Sequence, residues 1–447
     1  MEMSLIRSLL PAPCSLLPAM SLPTHPRVRA LELVPLGNGD EGMFALRDPY
    51  GIAGTVALPV GAALLVTLMT GERTLGELRQ EIERRVGNSL TLDEVRRVVE
   101  QLDERYFLDN QRFAKHEAAL IAEYQSLETR PAAHAGGAYQ LEEPALRRQL
   151  GELFTCDEGP GLLPWEGNVN GDFARPDASR LCGIMSPHID FHRGGAAFAW
   201  AYDRLVAESE AELFVILGTA HTPLAGLYSV SRKDFATPLG TARTDREFVD
   251  TLSRRLASRD NATEAWRIFQ DELPHRHEHS IEFQALMLQY VLGGRRDYRI
   301  VPILVGSFHP FVLHQRFPDQ SPAVADFVAA LRETVAACGK QVCYVAGVDM
   351  AHIGRQFGDA DLLDEPRLKT QWTDDQQLLA RACAGDSAGW FEHVSSSGDR
   401  HRICGLAPMY TMLAATRPDR GELLKYDQAV APDGTSCVSF ASVAFYS

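Results

Sequence analysis

Residues 180–208, RLCGIMSPHIDFHRGGAAFAWAYDRLVAE, contain the pattern that decides the fold. An apolar run of strand length is followed by a polar turn with two histidines and an aspartate, and then by a helical pattern. Similar runs recur towards the C-terminus with helical segments between them: AELFVILG, YRIVPILVG, QVCYVAGV and SCVSFASVAF. Buried strands that alternate with helices predict an α/β domain, with a mixed central sheet flanked by helices, over residues 181–447.

The N-terminal part of the chain is organised differently. Prolines interrupt the mildly apolar start, which predicts a disordered extension; a secretory signal is the alternative, but no A-x-A cleavage site follows. Short strand-like runs and two candidate capping boxes, TLGE and TLDE, then predict a small winged-helix-like α+β docking domain. A proline- and glycine-containing stretch leads on from it. The predicted boundaries are 1–26 for the extension, 27–112 for the docking domain, 113–180 for a connector and 181–447 for the α/β domain.

Composition excludes several classes of function. The formal net charge of −15 over 447 residues opposes broad binding to nucleic acid, because the phosphate backbone is also negative. An uninterrupted apolar run of about 18 residues is absent, so the sequence predicts no membrane span. Eight scattered cysteines without a CxxC pair predict reduced thiols in a cytoplasmic protein. The sequence does not indicate an oligomeric state.

Histidines follow three separate strand-like runs. His188 and Asp190 come after RLCGIM, His221 after ELFVILG, and Asp349 and His352 after QVCYVAGV. Ligands of open α/β sheets bind beyond the carboxyl ends of the strands, so these side chains are predicted to converge on one pocket. A single histidine after a strand is more often a hydrogen-bonded turn residue, but repetition at three strand ends favours a metal or catalytic site.

Two further stretches contain chemically reactive side chains. His279 and Glu282 share one face of a predicted helix, as a catalytic base and its orienting carboxylate would, or a metal ligand and its supporting carboxylate. The alternative is that Glu278 and His279 are only the polar entry to that helix. Cys404 precedes Gly405 at a predicted helix N-terminus, where the helix dipole favours a thiolate. A buried, inert thiol is the alternative for Cys404.

Residues 181–447 resemble the Memo family along almost their whole length. The resemblance rests on SPHIDFHRGG, LGTAHTPL, TPLGTARTD, HEHSIEFQ, IVPILVG, AGVDMAHIGRQFG, ICGLAPM and CVSFASVAF, which occur in the family's order. With its additional N-terminal region, the chain looks like the bacterial AmmeMemoRadiSam system protein B. That likeness implies a radical-SAM enzyme and an Amme protein as partners. The N-terminal module itself resembles PqqD-like peptide-recognition domains, which implies a peptide as another partner. The alternative is a helical docking cap with no ligand of its own.

The family's fold is similar to that of class III extradiol dioxygenases, which are non-haem iron enzymes. The resemblance implies a metal site at His188, His221 and Cys404, with Fe(II) as the leading metal. A thiolate ligand would also suit Cu or Zn. The other pocket positions that it implies are His279, Asp349 and His352. This chain departs from the family pattern at Asp190 and His192, which could add ligands or reshape the substrate entrance.

Three hypotheses about function follow. The leading one is a Memo-like metalloprotein that acts as a non-haem iron redox enzyme or a dioxygenase-like oxygenase. In it, His279 or His352 takes a proton from the substrate, and Asp349 fixes the tautomer of a neighbouring histidine. The alternatives are a non-catalytic adaptor that binds a metal or a peptide, and a zinc-dependent hydrolase.

Overall fold

A computed structural model describes residues 22–36, 42–87, 90–166, 180–259 and 266–447. Described residues as far as Ser126 form one compact unit, and those from Leu127 onwards form a second. Residues 1–21 of the predicted disordered extension lie outside the described residues, and the predicted boundaries at 112 and 180 stay predictions. Among the described residues, no helix has the length and apolar character of a membrane span.

Among its described residues, the first unit contains a three-stranded antiparallel sheet and four helices. Its strands pair in chain order, β1 with β2 and β2 with β3. Both predicted capping boxes are confirmed: Thr74 and Thr91 each accept a hydrogen bond from the backbone N–H of the glutamate three residues on, whose side chain bonds back. The elements are β1 (Glu32–Leu36), β2 (Met43–Arg47), β3 (Val56–Pro59), α1 (Val60–Leu68), α2 (Leu75–Val86), α3 (Leu92–Glu104) and α4 (Gln111–Ser126).

The second unit is built on a mixed sheet, as predicted, which has eight strands among the described residues. Its strands are β5 (Leu181–Ser186), β6 (Leu213–Thr219), β7 (Tyr228–Val230), β10 (Arg299–Val305), β11 (Val342–Gly347), β12 (His352–Ile353), β13 (Arg420–Val430) and β14 (Cys437–Tyr446). The order is β12-β14-β5-β11-β6-β10-β7, with β13 also paired to β14. The four central strands, β5, β11, β6 and β10, are parallel, and the others pair antiparallel. The closer likeness to extradiol dioxygenases stays a prediction.

A small sheet and nine described helices complete this unit. The small sheet consists of β4 (Thr129–Arg130), β8 (Asp234–Thr237) and β9 (Gly240–Ala242). The helices are α5 (Glu143–Thr155), α6 (Phe191–Glu208), α7 (Arg246–Ala257), α8 (His279–Leu292), α9 (His309–Leu313), α10 (Pro322–Ala337), α11 (Glu365–Cys383), α12 (Ser387–Ser396) and α13 (Leu406–Thr416).

Apolar side chains cover both faces of the large sheet. Along β6, Val215 and Leu217 belong to a core shared with α7, α10 and α13, whereas Phe214 and Ile216 belong to one shared with α5, α6 and α8. Alternate residues of a strand point to opposite faces, so helices cover the sheet on both sides. Helix α8 is almost fully enclosed, since all its residues except His279 and Gln289 are buried.

A carboxyl group is buried beneath the C-terminal strands. The Asp375 side chain on α11 has no exposed surface, and it accepts hydrogen bonds from Gln371 at 2.9 Å and from the Tyr426 hydroxyl at 2.8 Å. Burial raises the pKa of Asp375 to about 6, although the hydrogen bonds act against that rise. A carboxyl group whose pKa is raised in the folded state contributes stability at low pH and loses it as the pH rises through the folded pKa.

Asp375→Asn is therefore expected to remove one source of pH dependence. The full effect of the raised pKa is roughly 3 kcal/mol, and about half of it develops between pH 8 and pH 5. The free energy of unfolding of the variant is compared with that of the wild type at each pH. Between pH 5 and pH 8, this difference should shift by about 1 kcal/mol in favour of the variant. Urea unfolding at both pH values measures this, with the exposed Asp361→Asn as control. Equal pH slopes for the wild type and Asp375→Asn would contradict the prediction.

Candidate metal centre

The candidate site lies at the carboxyl edge of the central parallel strands. His188 follows β5 by two residues, Asp349 follows β11 by two, and His221 follows β6 by two. Because β11 pairs with β5 on one side and with β6 on the other, all three strands end at the same edge of the sheet. The structure thus brings together strand ends that are separated by up to 161 residues in sequence.

Three imidazole rings form a cluster at this edge. One ring nitrogen from each of His188, His221 and His279 lies within 4.8 Å of the other two. The ring centroids are 4.9 Å apart for His188 and His221, 5.1 Å for His188 and His279, and 4.6 Å for His221 and His279. His188 is buried, whereas the other two side chains are 40% and 30% exposed. The cluster is therefore accessible from one side.

Two glycines allow α8 to begin close enough to deliver His279. Gly218 of β6 and Gly347 of β11 face each other in register. A Cβ atom on Gly218 would lie 2.5 Å from the Ser280 hydroxyl, and one on Gly347 would lie 2.5 Å from the Ser280 carbonyl oxygen. The Ser280 hydroxyl instead donates to the Thr219 carbonyl at 2.8 Å, which ties the first turn of α8 to the end of β6.

His188 is held as a neutral ring. Its Nδ1 lies 2.9 Å from the carbonyl oxygen of Gly347, an acceptor only, so Nδ1 carries the proton and Nε2 keeps its lone pair. Burial lowers the pKa of His188 to about 3, and burial also lowers the pKa of His279 to about 3. Both rings are therefore neutral at neutral pH, each with one N–H and one free lone pair, as metal ligation requires.

Asp349 fixes the backbone that carries His188. One carboxylate oxygen accepts the N–H groups of His188 at 2.9 Å and of Ile189 at 3.1 Å. The other oxygen lies 3.5 Å from Nε2 of His188. Burial raises the pKa of Asp349, although His352 and the hydrogen bonds oppose that rise. The sequence predicts that Asp349 sets a histidine tautomer, but for His188 the contact at Nδ1 comes from the Gly347 carbonyl.

Cys404 lies next to the cluster. Its Sγ is 3.4 Å from Nε2 of His188 and 3.4 Å from the carbonyl oxygen of Asp349. It is not one of the three mutually close ligands, a place that His279 takes. Burial, together with the Asp349 carboxylate, raises the pKa of the Cys404 thiol well above its usual range, contrary to the expectation that the helix N-terminus favours the thiolate. A metal at this sulfur would itself supply the charge that removes the proton.

His352 lies in β12, three residues after Asp349. Its Nδ1 is 3.2 Å from the carbonyl oxygen of Met350, so Nε2 is the nitrogen with the lone pair. Burial lowers the pKa of His352, while the Asp349 carboxylate raises it. A neutral imidazole with a fixed Nδ1 proton suits the predicted role of proton acceptor, which stays a prediction.

The Glu282 carboxylate is bound by other partners and does not contact the imidazole cluster. Its carboxylate accepts from Arg130 at 2.6 Å, from the Tyr139 hydroxyl at 2.5 Å, and from the backbone N–H groups of Ala133 and His134 at 3.1 and 3.0 Å. Its predicted catalytic role stays a prediction, while its observed contacts anchor residues 130–139 against α8.

The anchored segment places a further imidazole beside the site. The ring of His134 is 5.8 Å from that of His279, centroid to centroid, and its Nε2 is 2.9 Å from the carbonyl oxygen of His277. His134 follows no strand-like run, so the strand-end pattern does not place it at the site. His134 reaches the site because residues 130–139 contact Glu282, which is more than 140 residues away. A single sequence does not reveal those contacts.

Glu278 is the carboxylate that contacts His279 and His221. Its Oε1 is 3.0 Å from Nδ1 of His221 and 3.3 Å from Nδ1 of His279. Burial alone would raise the pKa of Glu278, but His221 and His279 hold it well below its usual range. Sequence reasoning treats Glu278 as a helix entry, and it is indeed the N-cap of α8, accepting from the backbone N–H of Ser280. Its contacts with the two histidines become visible only in the folded structure.

Asp190 and His192 lie at the start of α6. Asp190 is the N-cap of that helix, accepting from the backbone N–H of Arg193 at 3.1 Å and pairing with its guanidinium group at 2.6 Å. His192 is exposed in the first turn. Neither side chain belongs to the three-imidazole cluster, and their predicted part in the pocket stays a prediction.

A cavity of about 280 Å³ adjoins the site on the side of Cys404. It lies between the residues that follow β6 and β10 and the segment that leads into α13, and its wall is largely apolar. The polar residues on the wall are Thr219, Ser307, His309, Asp399 and Arg402, together with Cys404. A volume of this size accommodates a small organic molecule.

Comparison with known proteins gives consistent matches. Residues 130–444 match the family model described as Memo-like protein. A MEMO1 family protein of Aquifex aeolicus is 26% identical over 425 residues, which cover 94% of this chain and 100% of that protein. MEMO1 family proteins of Methanopyrus kandleri and Methanothermobacter thermautotrophicus are 30% and 28% identical; the matches cover 71% and 70% of this chain and 98% of each relative. The bacterial match therefore reaches into the first compact unit.

Proposed function

The chain belongs to the Memo family, and on that premise we propose that it is a metal-dependent redox enzyme of the oxygenase type. The observation that carries the proposal is the cluster of His188, His221 and His279. A buried neutral imidazole beside two partly exposed ones is a donor set that first-row transition metals bind. We propose Fe(II) as the metal. His188 and His221 are ligands whichever residue provides the third ligand.

The third ligand is either His279 or Cys404. His279 belongs to the mutually close group, whereas Cys404 lies outside that group and contacts His188. Bound Fe(II) would supply one-electron redox chemistry and open coordination positions. The protein's own contribution is a small, mostly apolar cavity for the substrate and the Nε2 atom of His352 as acceptor for a substrate proton.

Metal titration of the purified full-length chain tests this proposal. The wild type is expected to bind about one Fe(II) per chain under anaerobic conditions. His188→Ala and His221→Ala should each weaken binding at least 100-fold, because each removes a ligand atom. His314→Ala, an exposed histidine at the end of α9, should bind like the wild type. The same titration with His279→Ala and Cys404→Ala identifies the third ligand. A wild type that binds no transition metal would refute the proposal.

A zinc-dependent hydrolase is the second candidate, and the three-imidazole donor set favours it. Catalytic zinc sites commonly have three protein ligands and an open fourth position, and three histidines are one such set. Anaerobic reconstitution separates the two functions. Uptake of O2 with a bound substrate by the Fe(II) form alone supports the oxygenase, whereas hydrolysis by the Zn form without O2 uptake supports the hydrolase.

A further inference from the structure

Glu278 does more than cap α8, and we propose that this one carboxylate positions two metal ligands at once. It would hold His221 and His279 in the tautomer that turns Nε2 towards the metal. This inference rests on the metal site proposed above. It makes Glu278 a positioning residue, since the carboxylate contacts the histidines and would not itself contact the metal.

The contacts of Glu278 leave both its oxygens occupied by N–H donors. Oε1 accepts from the backbone N–H of Ser280 at 3.0 Å and from Nδ1 of His221 at 3.0 Å, and it lies 3.3 Å from Nδ1 of His279. Oε2 accepts from the backbone N–H of His221 at 2.9 Å. The side chain is buried, so water does not replace these partners.

A carboxylate in these contacts sets the tautomer of each ring. The nitrogen that faces an ionised carboxylate carries the proton, and the other nitrogen of the same ring then keeps its lone pair. For His221 the hydrogen bond to Oε1 assigns the proton to Nδ1, and for His279 we assign it from the 3.3 Å approach of Nδ1 to the same oxygen. Nε2 is then the metal-binding atom of each ring. His188 reaches the same state through the Gly347 carbonyl. All three rings of the cluster thus share one tautomer, although two of them depend on a single side chain.

Because His221 and His279 share the Glu278 carboxylate, a substitution of Glu278 can affect both rings. A glutamine at position 278 has one acceptor oxygen and one NH2 donor. If the oxygen takes the Oε1 place, the NH2 group faces the backbone N–H of His221; in the flipped orientation it faces both imidazoles and the N–H of Ser280. Each orientation sets a donor against a donor, so Glu278→Gln must disturb at least one of the two ligands.

Metal affinity gives the first test. Glu278→Gln is expected to bind Fe(II), or Co(II) as a stable substitute, 10- to 100-fold more weakly than the wild type. Glu272→Gln is the matched control, because Glu272 lies in the same segment and pairs with Ser231 and Lys233 instead. It should bind metal like the wild type. A folded Glu278→Gln protein with an affinity within about twofold of the wild type would overturn the inference.

Histidine tautomers give a second test that does not depend on metal. In the full-length metal-free protein, long-range 15N–1H correlation spectra should show His221 and His279 protonated at Nδ1, and at least one should change in Glu278→Gln. Finding either ring of the wild type protonated at Nε2 would overturn the inference, even if the variant fails to fold. Confirmed tautomers in a chain that binds no metal would instead refute the proposed function, and would show only that Glu278 sets the tautomers of the two rings.

Discussion

An Arg130→Met variant is expected to unfold with a free energy about 3–5 kcal/mol below that of the wild type. The Arg130 side chain has no exposed surface, and that of Glu282 is 1% exposed. The guanidinium group donates to the Glu282 carboxylate at 2.6 Å and to the backbone carbonyls of His275, Pro131 and Glu278 at 2.6, 2.9 and 3.0 Å. Methionine fills much of the same volume but leaves a buried carboxylate without its counter-ion.

Chemical denaturation of the full chain measures this effect, if unfolding is monitored by a spectroscopic signal that comes from the larger unit. Arg147→Met is the matched control, since Arg147 and Glu143 form an exposed pair one helical turn apart and should contribute less than about 1 kcal/mol. The double variant Arg130→Met/Glu282→Gln should recover part of the loss, because it removes the unpaired charge. A loss for Arg130→Met no larger than that for Arg147→Met would show that the buried pair contributes little.

Gly347→Ala is expected to disturb the candidate site through one added methyl group. Its Cβ would lie 2.5 Å from the Ser280 carbonyl oxygen and 2.9 Å from Cγ of Gln284. Since β11 is paired on both sides, the strand cannot move away, and α8 has to shift instead. Overpacking of this kind costs about 1–3 kcal/mol. The shift also moves His279, so metal affinity should fall at least 10-fold.

Two measurements on the same protein check this prediction: the free energy of unfolding and the metal titration. Gly226→Ala is the control, because the nearest atom to its added Cβ is 3.8 Å away, an ordinary contact distance. It should change neither quantity. Wild-type metal affinity in Gly347→Ala would mean that the start of α8 does not set the position of His279.

The part of the site that the sequence reveals is the part carried by strand ends. An apolar run shows where a strand stops, and parallel strands stop at one edge, so His188, His221 and Asp349 could be placed together before the structure was known. Asp190 could also have been read as a cap, because an aspartate before a helical run is an N-cap signal. The contacts of Glu282 depend on a segment that lies more than 140 residues away, and no local pattern encodes them.

The enclosure of α8 bears on how the site could be altered over evolution or in the laboratory. Nearly every side chain of this helix is packed, so a change almost anywhere along it disturbs the core before it adjusts the chemistry. The segment that leads into α13 differs, because it lines the cavity and contains Cys404. Substitutions in this segment are therefore expected to change the substrate or metal preference. Helix α8 is expected to stay unchanged, because its packing tolerates few substitutions.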